Sequence, residues 1–196
     1  LGVMMSIIIR IELLNPGVWL SGGQMYNTVI TSHAFIMIFF LIMPVLIGGF
    51  GNWLLPIMLG SNDMAMPRMN NMSLLVYFPS MMLLLASSYL GQGSGNGWTI
   101  YPPLSSLTYS PSQSMDFTIF SIHLAGISSM MGAANFIVTT KSMGNQVNMS
   151  SKKFLPLFIW SVVVTAYLLI LSLPILAAAI TMLLFDRNFN SSFFNS

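Results

Sequence analysis

An all-α integral membrane protein, a multi-spanning helical bundle, is the fold class this sequence predicts. Three observations predict it. Only 5% of the 196 residues are Asp, Glu, Lys or Arg, against about 25% in a soluble domain, too few to cover a water-facing surface. The chain is 55% hydrophobic and 12% aromatic, whereas disordered chains are polar and poor in aromatics. The charges also leave uncharged stretches over 13–62, 69–115, 117–140 and 154–185, each longer than the roughly 20 residues a spanning helix needs.

Taken in order, Val3 to Leu14 reads as the tail of a first helix, over about 3–14. A turn-rich stretch follows, from Asn15-Pro16-Gly17 to Ser21-Gly22-Gly23, and the chain then runs apolar from Val29 to about Leu59, which predicts a helix over 24–59. The apolar segment Met72 to Leu90 predicts the next, over 69–90. Gly91 to Pro111 is rich in Gly, Ser and Pro and reads as a loop. The last two uncharged runs predict helices over 114–141 and 156–184. The expectation is a single transmembrane domain over 1–196, with four complete spans and the tail of another. Leu1 opens the chain inside an apolar pattern, without Met or a basic leader, so it reads as no signal peptide. The C-terminus stops just after a polar stretch, and the whole reads as a piece of a longer chain.

With alternating spans, Arg68, Lys141, Lys152 and Lys153 fall on one side, against Arg187 in the loops of the other. The excess of positive charge marks the first side as the matrix or cytoplasmic face. Pro44, Pro56 and Pro174 interrupt apolar runs and predict kinks whose freed carbonyls neighbouring helices must satisfy. Gly48-Gly49-Phe50-Gly51 lies inside a span and is no phosphate loop; small residues there admit another helix or a flat cofactor. No internal repeat is visible. Zero Cys excludes a disulfide framework, a thiolate nucleophile and Cys-based metal sites. A net charge of +2 from scattered basic residues draws no nucleic-acid footprint.

Few residues can carry chemistry. His33 and His123 both fall in spans, where a lone His is most often a hydrogen-bonded packing residue and the alternative is metal or haem ligation. His33 is the better candidate, about ten residues into its helix amid Phe35, Phe39 and Phe40, a setting that suits a macrocycle. A second constellation is polar: Asp63 at the inside face, Asn70 at the start of the next helix, Asn52 and Asn135 near the same face. Ser128 and Ser129 stand about 20 Å deeper than Lys141. Such a ladder can hold water for proton entry with Asp63 as the collecting carboxylate; interhelical hydrogen bonding explains it equally well. His33 and Asn52 are 19 residues apart, about 28 Å along one helix, so the candidate ligand and the ladder sit at opposite faces. Asn71-Met72-Ser73, Asn148-Met149-Ser150 and Asn190-Ser191-Ser192 fit a glycosylation pattern that arises by chance in such chains. The 18 Met are dispersed through apolar spans and read as packing or lipid-facing side chains.

The run Thr31-Ser32-His33-Ala34-Phe35-Ile36-Met37-Ile38-Phe39-Phe40, then Pro44 and Ile47-Gly48-Gly49-Phe50-Gly51-Asn52-Trp53, resembles the subunit 1 family of mitochondrial cytochrome c oxidase, the haem–copper terminal oxidases. So do Asp63-Met64-Ala65-Met66-Pro67-Arg68-Met69-Asn70-Asn71-Met72-Ser73, Gly97-Trp98-Thr99, Tyr101-Pro102-Pro103-Leu104, Ser121-Ile122-His123-Leu124-Ala125-Gly126, Ser172-Leu173-Pro174 and Asp186-Arg187-Asn188. The likeness covers essentially the whole chain and well under half of the family's length, part of a larger twelve-helix-type subunit.

The resemblance implies an enzyme of the mitochondrial inner membrane that passes electrons from cytochrome c to dioxygen, forms water and pumps protons. It implies that His33 is an axial ligand of the low-spin haem a, that Arg10 lies near its formyl group, and that Tyr26 and Trp98 lie near its propionates. Asp63 matches the entrance of a proton-uptake channel lined by Asn52, Asn70, Asn135, Ser128 and Ser129. Glu12 and Gly17 match a peripheral cation site, although Gly22-Gly23 stand where the family has acidic residues, and the 105–114 loop also diverges. Ligands of the high-spin haem and of copper fall outside this stretch, so the chain alone is expected to be inactive. Implied partners are the remainder of subunit 1, other oxidase subunits, cytochrome c and the lipid bilayer, with no nucleic acid. A non-redox membrane transporter and a purely structural membrane subunit are the rival readings.

Overall fold

The computed structural model of the chain describes residues 1–14, 16–20, 22–143 and 155–194. Among them the helices are α1 (Gly2–Glu12), α2 (Gly23–Leu59), α3 (Pro67–Tyr89), the single turn α4 (Pro102–Ser105), α5 (Ser114–Ser142) and α6 (Leu157–Asn188). Four of these, α2, α3, α5 and α6, are long and apolar enough to cross a membrane. Two departures from expectation stand out. The loop after α3 contains α4, opened by Pro102-Pro103, because proline suits the first helical turn, where its missing N–H has no intrahelical role. And α6 runs past residue 184 through Asp186-Arg187, because the Arg187 guanidinium is buried and paired with Asp116 at 2.7 Å, and a cation is favoured at a helix C-terminus.

The long α2 survives Pro44 by changing register. Hydrogen bonding widens to the π pattern over Ile38–Ile42 and again over Pro44–Gly51. Pro44 offers no N–H to the Phe40 carbonyl four residues back, and a widened turn absorbs the ring. The Phe40 carbonyl accepts instead from the Tyr77 hydroxyl of α3, at 2.6 Å. Gly60, at φ +68°, ends α2: its N–H donates to Ile57 O and the Ser61 N–H donates to Pro56 O, a Schellman closure that needs the left-handed residue.

Helices α3 and α5 run antiparallel along a seam of small polar residues. Ser73 Oγ donates to Ser128 O at 2.8 Å and Ser128 Oγ to Ser73 O at 2.7 Å. Seven residues on in α3 and seven back in α5, Ser80 and Ser121 repeat this exchange at 2.6 and 2.7 Å, both fully buried. Seven residues the other way, Met66 N–H donates to Asn135 Oδ1 and Asn135 Nδ2 donates to Met66 O. The seven-residue step keeps one face of each helix on its neighbour, and small side chains let the backbones close. Helix α6 packs on another side of α5, and α1 lies against the first half of α2.

Two apolar cores flank the middle of this seam. The first, by the first half of α2, gathers Phe35, Ile36, Phe40, Leu84, Met115, Ile119 and Ile180; the second, by its last turns, gathers Leu55, Leu59, Met64, Phe136 and Ile159. Gly51 supplies the close approach expected of the glycine run, since a Cβ there would lie 2.8 Å from the Phe136 ring. Arg68 opens α3 and Lys141 closes α5 at one end of the bundle. Lys152, Lys153 and the Asn148 triplet lie outside the described residues.

Candidate functional site

His33 is half-buried on α2, and its Nδ1 lies 2.9 Å from the Gly2 carbonyl of α1. A carbonyl can only accept, so Nδ1 carries a proton, and in the neutral ring Nε2 then keeps its lone pair. That is the tautomer a metal-ligating imidazole needs, with a backbone carbonyl fixing the ring from behind. Gly2 went unremarked in the sequence, yet it sits at this contact: a Cβ at residue 2 would lie 2.4 Å from Met37 Sδ, so with any larger residue the Met37 side chain must move for α1 to stay closed on α2. The aromatics that follow His33 on α2 pack partly with one another, Phe35 and Phe39 lying 6.0 Å apart between ring centroids. Phe35 and Phe40 belong to the first of the two apolar cores, and Phe40 pairs with Tyr77 at 5.5 Å between ring centroids. Helical periodicity turns Phe35 away from residue 33, since two residues apart is nearly the opposite face.

The segment after α3 is docked on the α2 turns that precede His33. Thr28 Oγ1 lies 3.2 Å from Gln92 O, and the Gly97 N–H donates to Thr31 Oγ1 at 3.0 Å. Gly93, at φ +73°, would put a Cβ 2.4 Å from Thr28, so the approach requires glycine. Trp98, largely exposed, follows directly. Tyr26, half-buried, is two turns before His33 on α2, and Arg10 is exposed on α1. Glu12 ends α1 and Gly17 lies in the turn that follows; Glu12 Oε2 accepts from the Leu20 N–H at 2.7 Å and Gly17 adopts φ +130°. Among the described residues no three His, Cys, Asp or Glu side chains converge as metal ligands.

At the other end, a cleft of about 630 Å³ opens between α2, α3 and α5. It brings together Asn52, Asp63, Asn70, Ser128 and Ser129 from the predicted ladder. Asp63 is exposed, its Oδ1 accepting from the Met64 N–H. Asn52 Nδ2 donates to Gly48 O at 2.7 Å and to Asn70 Oδ1 at 3.2 Å, while Asn52 Oδ1 is buried with no protein partner. Asn135 is held apart from these, both ends of its amide engaged by Met66 at the start of α3. Ser73 and Tyr77 also line the cleft and were not singled out in the sequence. A usable signal existed for Tyr77: a hydroxyl inside an apolar span needs an acceptor, and the carbonyl four residues before a proline is free.

His123 makes no comparable site. Its Nδ1 lies 2.9 Å from Ile119 O one turn back on α5 and its Nε2 2.9 Å from Thr181 Oγ1 of α6, so both ring nitrogens are engaged, the second of them in joining α5 to α6.

Over residues 1–196 the chain matches the model of the family described as cytochrome c and quinol oxidase polypeptide I. The chain belongs to that family. It is 50% identical over 195 residues to cytochrome c oxidase subunit 1 of Eremothecium gossypii, covering 98% of this chain and 36% of that protein. The likeness to subunit 1 of Pecten maximus is 50% over 199 residues, 99% of this chain and 40% of that one. For Yarrowia lipolytica it is 50% over 196 residues, 99% and 36%. The chain thus spans well under half the length of these oxidase polypeptide I relatives.

Proposed function

We propose that the chain is part of the catalytic subunit of a terminal oxidase of the mitochondrial inner membrane. The full protein passes electrons from cytochrome c to dioxygen, forms water and moves protons across the bilayer. In it, His33 ligates the low-spin haem a, and the cleft from Asp63 inward admits protons. The observation that carries the reading is the Gly2–His33 hydrogen bond, which leaves Nε2 free to ligate. Family membership agrees with it, and relatives named cytochrome c oxidase subunit 1 favour cytochrome c over a quinol as donor.

The donor set of the outer site fits a haem: a single imidazole, backed by a carbonyl. When bound, the haem supplies one-electron storage. His33 would hold its iron, Gly2 keeping the imidazole from turning, and Trp98, Tyr26 and Arg10 would border it. At the inner end Asp63 takes a proton from the aqueous phase. The orphaned Asn52 Oδ1 accepts a hydrogen bond from water, because a buried carbonyl oxygen without a protein partner calls for one. Asn70, Ser128 and Ser129 continue that hydration towards mid-membrane. The high-spin haem, the copper and the other subunits belong to parts of the complex beyond this chain.

The test is His33→Ala in the full-length subunit. The low-spin haem band should vanish from the purified complex, while subunit assembly is followed separately by gel. Persistence of that band at full intensity would overturn the assignment.

A further inference from the structure

We infer that Arg187 is a positioning residue that holds the segment carrying Trp98 against the helix of His33. Arg187 is 3% exposed. Its Nε donates to Asp116 Oδ1 at 2.7 Å, Nη1 to Ser105 O at 2.6 Å and Ser110 O at 2.9 Å, and Nη2 to Ser112 O at 2.9 Å. Tying α6 to α5 requires only the first of these. The other three are spent on carbonyls of the segment between α3 and α5, and only a planar fork of five donors reaches so many at once.

The link continues from there to α2. Ser110 Oγ donates to Asn96 Oδ1 at 3.0 Å, and the next residue, Gly97, donates its N–H to Thr31 Oγ1 at 3.0 Å. Thr31 is two residues before His33. On the way, Thr118 Oγ1 of α5 donates to Ser94 Oγ at 3.0 Å. Gly97 adopts φ +74°, so the chain turns sharply at the point of attachment and presents Trp98 immediately after it. Asp186 takes no part: its carboxylate accepts from Ser191 and from the Phe193 and Phe194 N–H groups of the tail that follows α6. A charge at the far end of α6 therefore fixes a tryptophan beside α2 through intermediaries, since the partners of Arg187 are Asp116, Ser105, Ser110 and Ser112. What Trp98 then borders rests on the proposed haem site; the positioning itself does not.

The experiment is amide hydrogen exchange, read by mass spectrometry, on the assembled full-length oxidase in lipid nanodiscs. Arg187→Met should speed exchange of residues 94–100 and of 105–112 by about tenfold or more, as local opening becomes cheaper. Arg187→Lys, which keeps the charge near Asp116 but loses the fork, should fall between. Ser110→Ala leaves the ion pair intact and cuts the link at one hydroxyl, so it should loosen 94–100 selectively. Faster exchange confined to α5 and α6, with 94–100 at wild-type rates in both Arg187→Met and Ser110→Ala, would reduce Arg187 to an interhelical tie and overturn the inference. Where Arg187→Met fails to assemble, Ser110→Ala and Asn96→Ala decide by the same readout. The low-spin band in His33→Ala tests the haem site separately.

Discussion

Tyr77 gives its hydroxyl proton to the Phe40 carbonyl because Pro44 cannot, and the exchange ties α3 to the kink of α2. Removing the hydroxyl leaves a carbonyl unpaired inside the bundle, a loss of about 1–2 kcal/mol. Tyr77→Phe in the full-length complex should therefore lower its thermal midpoint by a few degrees with haem content unchanged; an unaltered midpoint would show that the π turn needs no outside donor. Asp63 stands at the cleft mouth with one oxygen on the Met64 N–H. In the complete oxidase, Asp63→Asn should slow both turnover and proton pumping, and Asp63→Glu should keep part of each because the carboxylate survives. Rates and pumping stoichiometry equal to wild type in Asp63→Asn would leave the cleft without a role in proton entry.

Along the α3–α5 seam, fully buried Ser80 and Ser121 show why side-chain size matters more than polarity. Each interhelical hydroxyl bond in a membrane is worth about 0.6 kcal/mol, so Ser80→Ala should be nearly silent. Ser80→Leu instead forces the helix backbones apart and should lose assembled complex altogether, measured as haem recovered per membrane protein. Asn135 acts on an element rather than on the cleft: with its own amide it caps the start of α3, and its neighbour Thr139 accepts from the Ala65 N–H. Asn135→Leu orphans the Met66 N–H, the Met66 carbonyl still accepting from the Asn70 N–H, and should cost about 1–3 kcal/mol. If its effect on turnover exceeds its effect on stability, Asn135 also serves proton entry.

For the molecule as a whole, large apolar side chains such as Leu168, Leu171 and Ile175 on α6 and Trp53 and Ile57 on α2 are exposed. They face lipid or other parts of a larger assembly, since the chain matches only 36–40% of its relatives' length. A polypeptide of these 196 residues made by itself should consume no oxygen with reduced cytochrome c. Two histidines, one of them joining α5 to α6, cannot furnish a copper site and two haem sites. Oxygen uptake by the purified chain, with haem and copper bound in stoichiometric amounts, would contradict this and the proposed division of the site.

The sequence by itself determined the membrane class and the four spans, because ten charges among 196 residues leave uncharged stretches that no other solvent suits. It also determined His33 and Asp63 as the residues to watch, since ionisable groups are scarce at membrane depth. Only the tertiary structure decided what the uncharged polar residues do. Serines and asparagines seven apart look the same in sequence whether they hold water or another helix, and packing sent Asn52 to the cleft and Asn135 to the cap of α3. The reach of Arg187 was hidden for a related reason: in sequence it is one charge near a helix end, whereas its partners lie more than 70 residues away. A buried guanidinium must satisfy its donors wherever the fold brings acceptors, and hydropathy carries no record of where that is.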